Sequence, residues 1–68
     1  MEILNYIGES FVGHSYHFWC DCLIKMDITG KVISFYISNK EIVLIVKTNT
    51  KELKVGLNTP TLKIEPIL

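Results

Sequence analysis

Residues 16–28 alternate between two kinds of side chain almost without interruption. The even positions read Tyr16, Phe18, Cys20, Cys22, Ile24, Met26 and Ile28, and the odd positions read His17, Trp19, Asp21, Leu23, Lys25 and Asp27. Successive side chains of an extended chain leave it on opposite sides, so a period of two predicts a β-strand with one buried face. The pattern predicts a single strand over 16–28. It also sorts the chemically suggestive residues. Both cysteines fall on the apolar side with Phe18 and Ile24, while His17 and Trp19 fall on the other.

The rest of the chain continues in the same manner. Asp27-Ile28-Thr29-Gly30 has turn composition, with Gly30 able to supply a positive φ. Segment 31–38 is β-branched and aromatic and predicts a second strand. Ser38-Asn39-Lys40 reads as a tight connection. Segment 41–48 predicts a third strand, apolar on both faces over 42–46 and therefore central. Asn49-Thr50 reads as a two-residue hairpin loop, with Asn49 in the left-handed region. Segment 51–56 predicts a fourth strand and 61–65 a fifth, separated by a break at 57–60 that fits one 3₁₀ turn. Pro66 cannot donate to a ladder and ends the last strand or protects an edge. Residues 1–15 carry a weaker pattern. Ile3, Leu4 and Ile7 fit one turn of helix or a short strand, and Gly13-His14-Ser15 reads as a turn.

These elements predict an all-β single domain over 1–68, with about five antiparallel strands as a meander and the N-terminal segment packed against it. Alternation names a core of Phe18, Cys20, Cys22, Ile24, Leu44, Val46, Leu53, Val55, Leu62 and Ile64. The strand order, the break before the last strand and the Gly30-Lys31-Val32 entry to the second strand resemble the SH3-like small-barrel group, which includes Tudor, KOW and Sm-type domains. The resemblance covers 16–65. It implies a small closed or nearly closed barrel and a non-catalytic scaffold that binds peptides, proteins or nucleic acid. The OB-fold is the main competing architecture, although it normally needs a longer chain and a helix.

Composition narrows the function classes. A chain of 68 residues buries only about 60% of its unfolded surface. Yet 49% of its residues are hydrophobic and its mean hydropathy is +0.31, so apolar side chains must remain outside the core. Seven acidic residues balance seven basic ones, which gives no long-range attraction to nucleic acid or to an acidic membrane. All the basic residues are lysine, and the missing arginine removes the usual bidentate phosphate and guanine contact. Cys20 and Cys22 sit one residue apart on one strand face, with Cα atoms roughly 6.5–7 Å apart, at the limit of a disulfide. The opening Met1-Glu2-Ile3-Leu4-Asn5 has neither the basic region nor the apolar stretch of a signal peptide. A reducing cytoplasmic setting without membrane association is expected.

Four constellations bear on chemistry. His14, His17, Cys20 and Cys22 are good zinc ligands within nine residues. No second cysteine or histidine segment completes the usual two-plus-two set, and strand parity points His17 away from the thiols, so no cofactor or metal is expected. A zinc-binding module is the alternative this set would support. A thiol nucleophile at Cys20 or Cys22 would sit in an apolar setting that suppresses thiolate formation, and no catalytic set with His14 or Asp21 assembles. An enzyme is therefore not expected, and no small-molecule substrate is identified. Lys40, Lys47, Lys51, Lys54 and Lys63, with Phe35 and Tyr36, support a second alternative, a nucleic-acid-binding small barrel. Glu41, Glu52 and Glu65 interrupt those lysines and fit cross-strand ion pairs instead. The outward residues His17, Trp19 and Leu23, rimmed by Asp21, Lys25 and Asp27, form the preferred partner-binding surface. If the N-terminal segment folds over this face, Ile3, Leu4 and Ile7 would cover it. The expectation is a non-enzymatic interaction module acting by self-association or by docking to a larger protein. Richness in Ile, Lys and Asn suits a phage or mobile element.

Overall fold

The computed structural model describes residues 3–21 and 25–67. One helix, α1 (Ile3–Phe11), precedes five strands: β1 (Ser15–Cys20), β2 (Met26–Ser38), β3 (Glu41–Lys47), β4 (Glu52–Gly56) and β5 (Lys63–Pro66). The strands form one sheet in the order β4-β3-β2-β1-β5, antiparallel throughout. The expected five antiparallel strands of an all-β fold are present, as a meander over β1–β4, while β5 pairs with β1 rather than continuing from β4. The sheet is not closed into a barrel, because β4 and β5 stand at its two ends and do not pair with each other.

The single strand expected over 16–28 is two strands. The chain reverses between Cys20 and Met26, which are cross-strand partners, and Tyr16 pairs with Gly30. Cys22, Leu23 and Ile24 lie outside the described residues, so the core placement of Cys22 and Ile24 does too. The turn expected at 27–30 is not there either. β2 runs straight through it, and Gly30 serves a different purpose from the one its turn-like surroundings imply. A Cβ at position 30 would lie 2.5 Å from the Lys47 carbonyl oxygen and 2.8 Å from a Val46 methyl. Only glycine lets β2 come this close to β3 without the strands shifting.

A register shift between Val32 and Ser34 sets the shape of β2. Before it, the even residues Met26, Ile28 and Val32 face the core; after it, the odd residues Phe35 and Ile37 do. One extra residue in a strand reverses the inward parity and bends the strand. This is how a 13-residue strand serves β1 at one end and β3 at the other.

Phe18, Cys20, Val32, Ile42, Leu44, Val46 and Val55 are buried. Leu62 and Ile64 are partly buried and pack against this cluster, and Leu53 is half-buried. Removing each large side chain from water contributes about 1.5–3 kcal/mol. β3 carries the centre of the core on one side through Ile42, Leu44 and Val46, while Val43 and Ile45 are only half-covered on the other. A central strand buried on both sides is the expectation there; β3 is an interior strand, next to the edge strand β4, and fully covered on one face.

The N-terminal segment is helical and closes the inner face. Leu4 and Phe11 pack on the core, and Phe11 meets Tyr16 with ring centroids 5.2 Å apart. Gly8 is the buried residue of α1 and sits on the Phe35 ring; a Cβ there would lie 2.4 Å from two ring carbons. The helix ends at Gly13, whose φ of 91° suits glycine at a helix C-terminus. The Gly13 amide then donates to the Val32 carbonyl at 2.8 Å, and the Val32 amide donates to His14 at 2.9 Å. Two of the strand connections are tight loops. Asn39 and Lys40 both have positive φ, the backbone of a type I′ hairpin turn. In the β3–β4 loop, Asn49 does not take up the expected left-handed conformation. The Thr48 hydroxyl organises this loop instead, accepting from the Thr50 and Lys51 amides at 3.3 and 3.2 Å.

Candidate functional site

The outer face of β1 presents Ser15, His17 and Trp19, because Tyr16, Phe18 and Cys20 are turned to the core. Cross-strand register gives each outward residue its neighbours. Glu65, His17 and Thr29 form one row, and Lys63, Trp19 and Asp27 form the next. Asp27 is thus a diagonal neighbour of His17, within reach of a long side chain. His17 Nε2 and Asp27 Oδ1 are 2.8 Å apart. A carboxylate accepts and does not donate, so Nε2 carries the hydrogen. The imidazole in turn stacks on Trp19, with ring centroids 4.5 Å apart and planes 23° from parallel.

This arrangement fixes two aromatic rings as one plate. Asp27 orients the imidazole, and the imidazole restricts the indole. Such stacking contributes about 0.5–1.5 kcal/mol beyond area burial. Both residues are half-buried, less exposed than free alternation implies, because each covers the other. The expected rim residues Asp21 and Lys25 are exposed, and Leu23 lies outside the described residues. The N-terminal segment does not cover the plate, since α1 packs on the opposite face through Leu4, Gly8 and Phe11.

The zinc constellation is not brought together. His17 faces outward and Cys20 inward, His14 is exposed in the connection before β1, and Cys22 lies outside the described residues. Among the described residues, no three His, Cys, Asp or Glu side chains converge on a point that would hold a metal. His17 and Asp27 form a base-and-orienter pair, yet the ring's hydrogen bond to Asp27 is joined by no hydroxyl or thiol nucleophile among the described residues. The lysine set is also dispersed. Phe35 lies beneath α1 and Tyr36 on the other side of β2, so the two aromatics expected to stack bases are on opposite faces. Lys54 Nζ sits 5.7 Å from the Tyr36 ring centroid, a cation–π contact on the outer face.

Two features went unread in the sequence. Ile3, Tyr6 and Ile7 form an apolar stripe on the solvent side of α1, with Ile3 72% and Tyr6 68% exposed. Their i, i+3, i+4 spacing was the signal, masked by assigning Ile3 and Ile7 to one covering face with Leu4. The second is a concave patch where β2 passes Lys47, whose lining is discontinuous in sequence. Among the described residues no helix is long and apolar enough to cross a membrane. The chain matches no family model, no curated protein and no solved structure.

Proposed function

We propose that this chain is a non-enzymatic interaction module that works by self-association. The observation that carries the reading is the Ile3, Tyr6 and Ile7 stripe, left in water on a helix whose other side is seated on the core. A folded chain with zero net charge meets no global repulsion from its own copies. Each large apolar side chain taken out of water contributes up to about 1.5–3 kcal/mol toward the cost of association. The His17–Trp19 plate supports the same reading as a second, more polar contact surface. Tryptophan is enriched at binding hot spots, and a plate already held by Asp27 loses little freedom on binding. Leu23 belongs to the surface proposed on sequence grounds. The SH3-like resemblance, with its non-catalytic scaffold, agrees with this reading.

Tyr6→Ser and Trp19→Ala test the proposal separately. Sedimentation velocity of each variant is compared with the parent chain at matched concentration, with far-UV circular dichroism as the control for folding. Tyr6→Ser shifts the population toward monomer while the strand signal is retained. If both variants sediment like the parent, neither surface is an interface and the reading fails.

A further inference from the structure

A second surface, independent of the apolar stripe, sets two lysines against each other. The outer face holds an open cavity of about 490 Å³ where the 29–33 stretch of β2 passes the end of β3. Lys31 and Lys47 both line it, and they are direct cross-strand partners. Like charges set opposite each other in an antiparallel pair are destabilising. Within the cavity itself nothing acidic offsets it among the described residues. No Asp or Glu lines the cavity, and no lysine is within ion-pair distance of a carboxylate among the described residues. Glu52, opposite Lys47 on β4, offsets part of its charge from outside the cavity, and no carboxylate partners Lys31 across either neighbouring strand.

The remaining lining suits an anion. The hydroxyls of Ser15 and Thr29 make no hydrogen bond among the described residues, and Ser15 is the partner of Lys31 on its other side. Ile33, pushed outward at the register shift, and Ile67 supply aliphatic wall. The close approach at Gly30 holds the two lysine-bearing strands together, so the charge pair is built into the backbone rather than into mobile side chains alone.

We infer that this cavity binds a phosphate monoester, with the phosphate between Lys31 and Lys47 and the organic part against Ile33 and Ile67. Two ammonium groups match a group carrying about −1.5 to −2 charge, whereas a singly charged diester leaves one lysine uncompensated. No aromatic side chain lines the cavity, so nothing is offered for a nucleobase to stack on. The volume is within the ordinary range for a small-molecule site, about 300–1,000 Å³.

The test is a titration of the full chain with inorganic phosphate, phenyl phosphate and dimethyl phosphate at constant ionic strength, followed by ¹H–¹⁵N spectra. Saturable shifts confined to Ser15, 29–33, 47–49 and Ile67 are expected. Phenyl phosphate binds about tenfold more tightly than inorganic phosphate, and dimethyl phosphate about tenfold more weakly. Lys31→Gln and Lys47→Gln each lose at least about tenfold in affinity. Lys31→Glu abolishes binding and raises Tm by about 2–6 °C, because it turns a repulsion into an attraction. Linear shifts spread over Lys51, Lys54 and Lys63 overturn the inference, as does unchanged binding in both Gln variants. A Tm for Lys31→Glu equal to or below the parent's overturns the electrostatic argument on which the site rests.

Discussion

The two faces of the sheet follow different rules. The inner face is a continuous apolar cluster from Phe18 on β1 through Val32 and Leu44 to Val55 on β4, sealed by α1. The outer face has no such cluster. There His17 and Trp19 lean on each other, Lys54 lies over the Tyr36 ring, and Lys31 and Lys47 face each other across β2 and β3. Inner residues are determined by packing, so any change in volume there is felt by the whole domain. Outer residues are arranged in ways that packing does not require. The difference separates what holds this fold from what the fold offers to others.

Leu44→Ala presses hardest on that distinction. Leu44 is fully buried on the central part of β3, and truncation should cost about 2–5 kcal/mol through lost burial and an unfilled cavity. For a domain of this size that is a fall in Tm of roughly 10–30 °C, read by thermal denaturation. A cost under about 1 kcal/mol would mean that the inner face is not a packed core. Gly30→Val should follow, at about 1–3 kcal/mol or more, because its Cβ meets backbone rather than a flexible side chain. Chemical denaturation of that variant checks it, and parent-like stability would contradict the close approach of β2 and β3.

Gly8→Val sharpens the comparison in a more local way. Its side chain would strike the Phe35 ring, so α1 should lift while the sheet persists. Hydrogen exchange should then show lost protection of the 3–11 amides with strand amides retained. Uniform loss across the sheet would show that the inner face cannot hold without its helix. Trp19→Ala should have the smallest effect on stability, about 0.5–1.5 kcal/mol from the lost stack. A cost above about 3 kcal/mol would place Trp19 with the core and erase the distinction between the faces.

Much of the inner face was legible because its strands obey simple alternation. Phe18 and Cys20 on β1, Leu44 and Val46 on β3 and Val55 on β4 are buried as their parity requires. The reversal after β1 was not legible, for a specific reason. Cross-strand partners in β1 and β2 sum to 46, as with Cys20 and Met26, so inward positions are even on both strands. The alternation therefore runs through the reversal unbroken. The turn-like Asp27-Ile28-Thr29-Gly30 then drew the boundary to the wrong place. Val32 went unread because the register shift beside it changes parity within one strand. On the outer face, the directions of His17 and Trp19 were readable from β1 alone. The bond from His17 to Asp27 and the facing of Lys31 and Lys47 depend on strand register, which no local pattern carries.

The central claim is that the outward apolar surface serves copies of this chain. Sedimentation equilibrium of the unmodified chain over a range of micromolar concentrations tests it most directly. A weight-average mass rising with concentration above the 7.8 kDa of one chain is the predicted result. A mass fixed at that of a single chain up to about 100 μM, weaker than any association of about 5–6 kcal/mol, would contradict it.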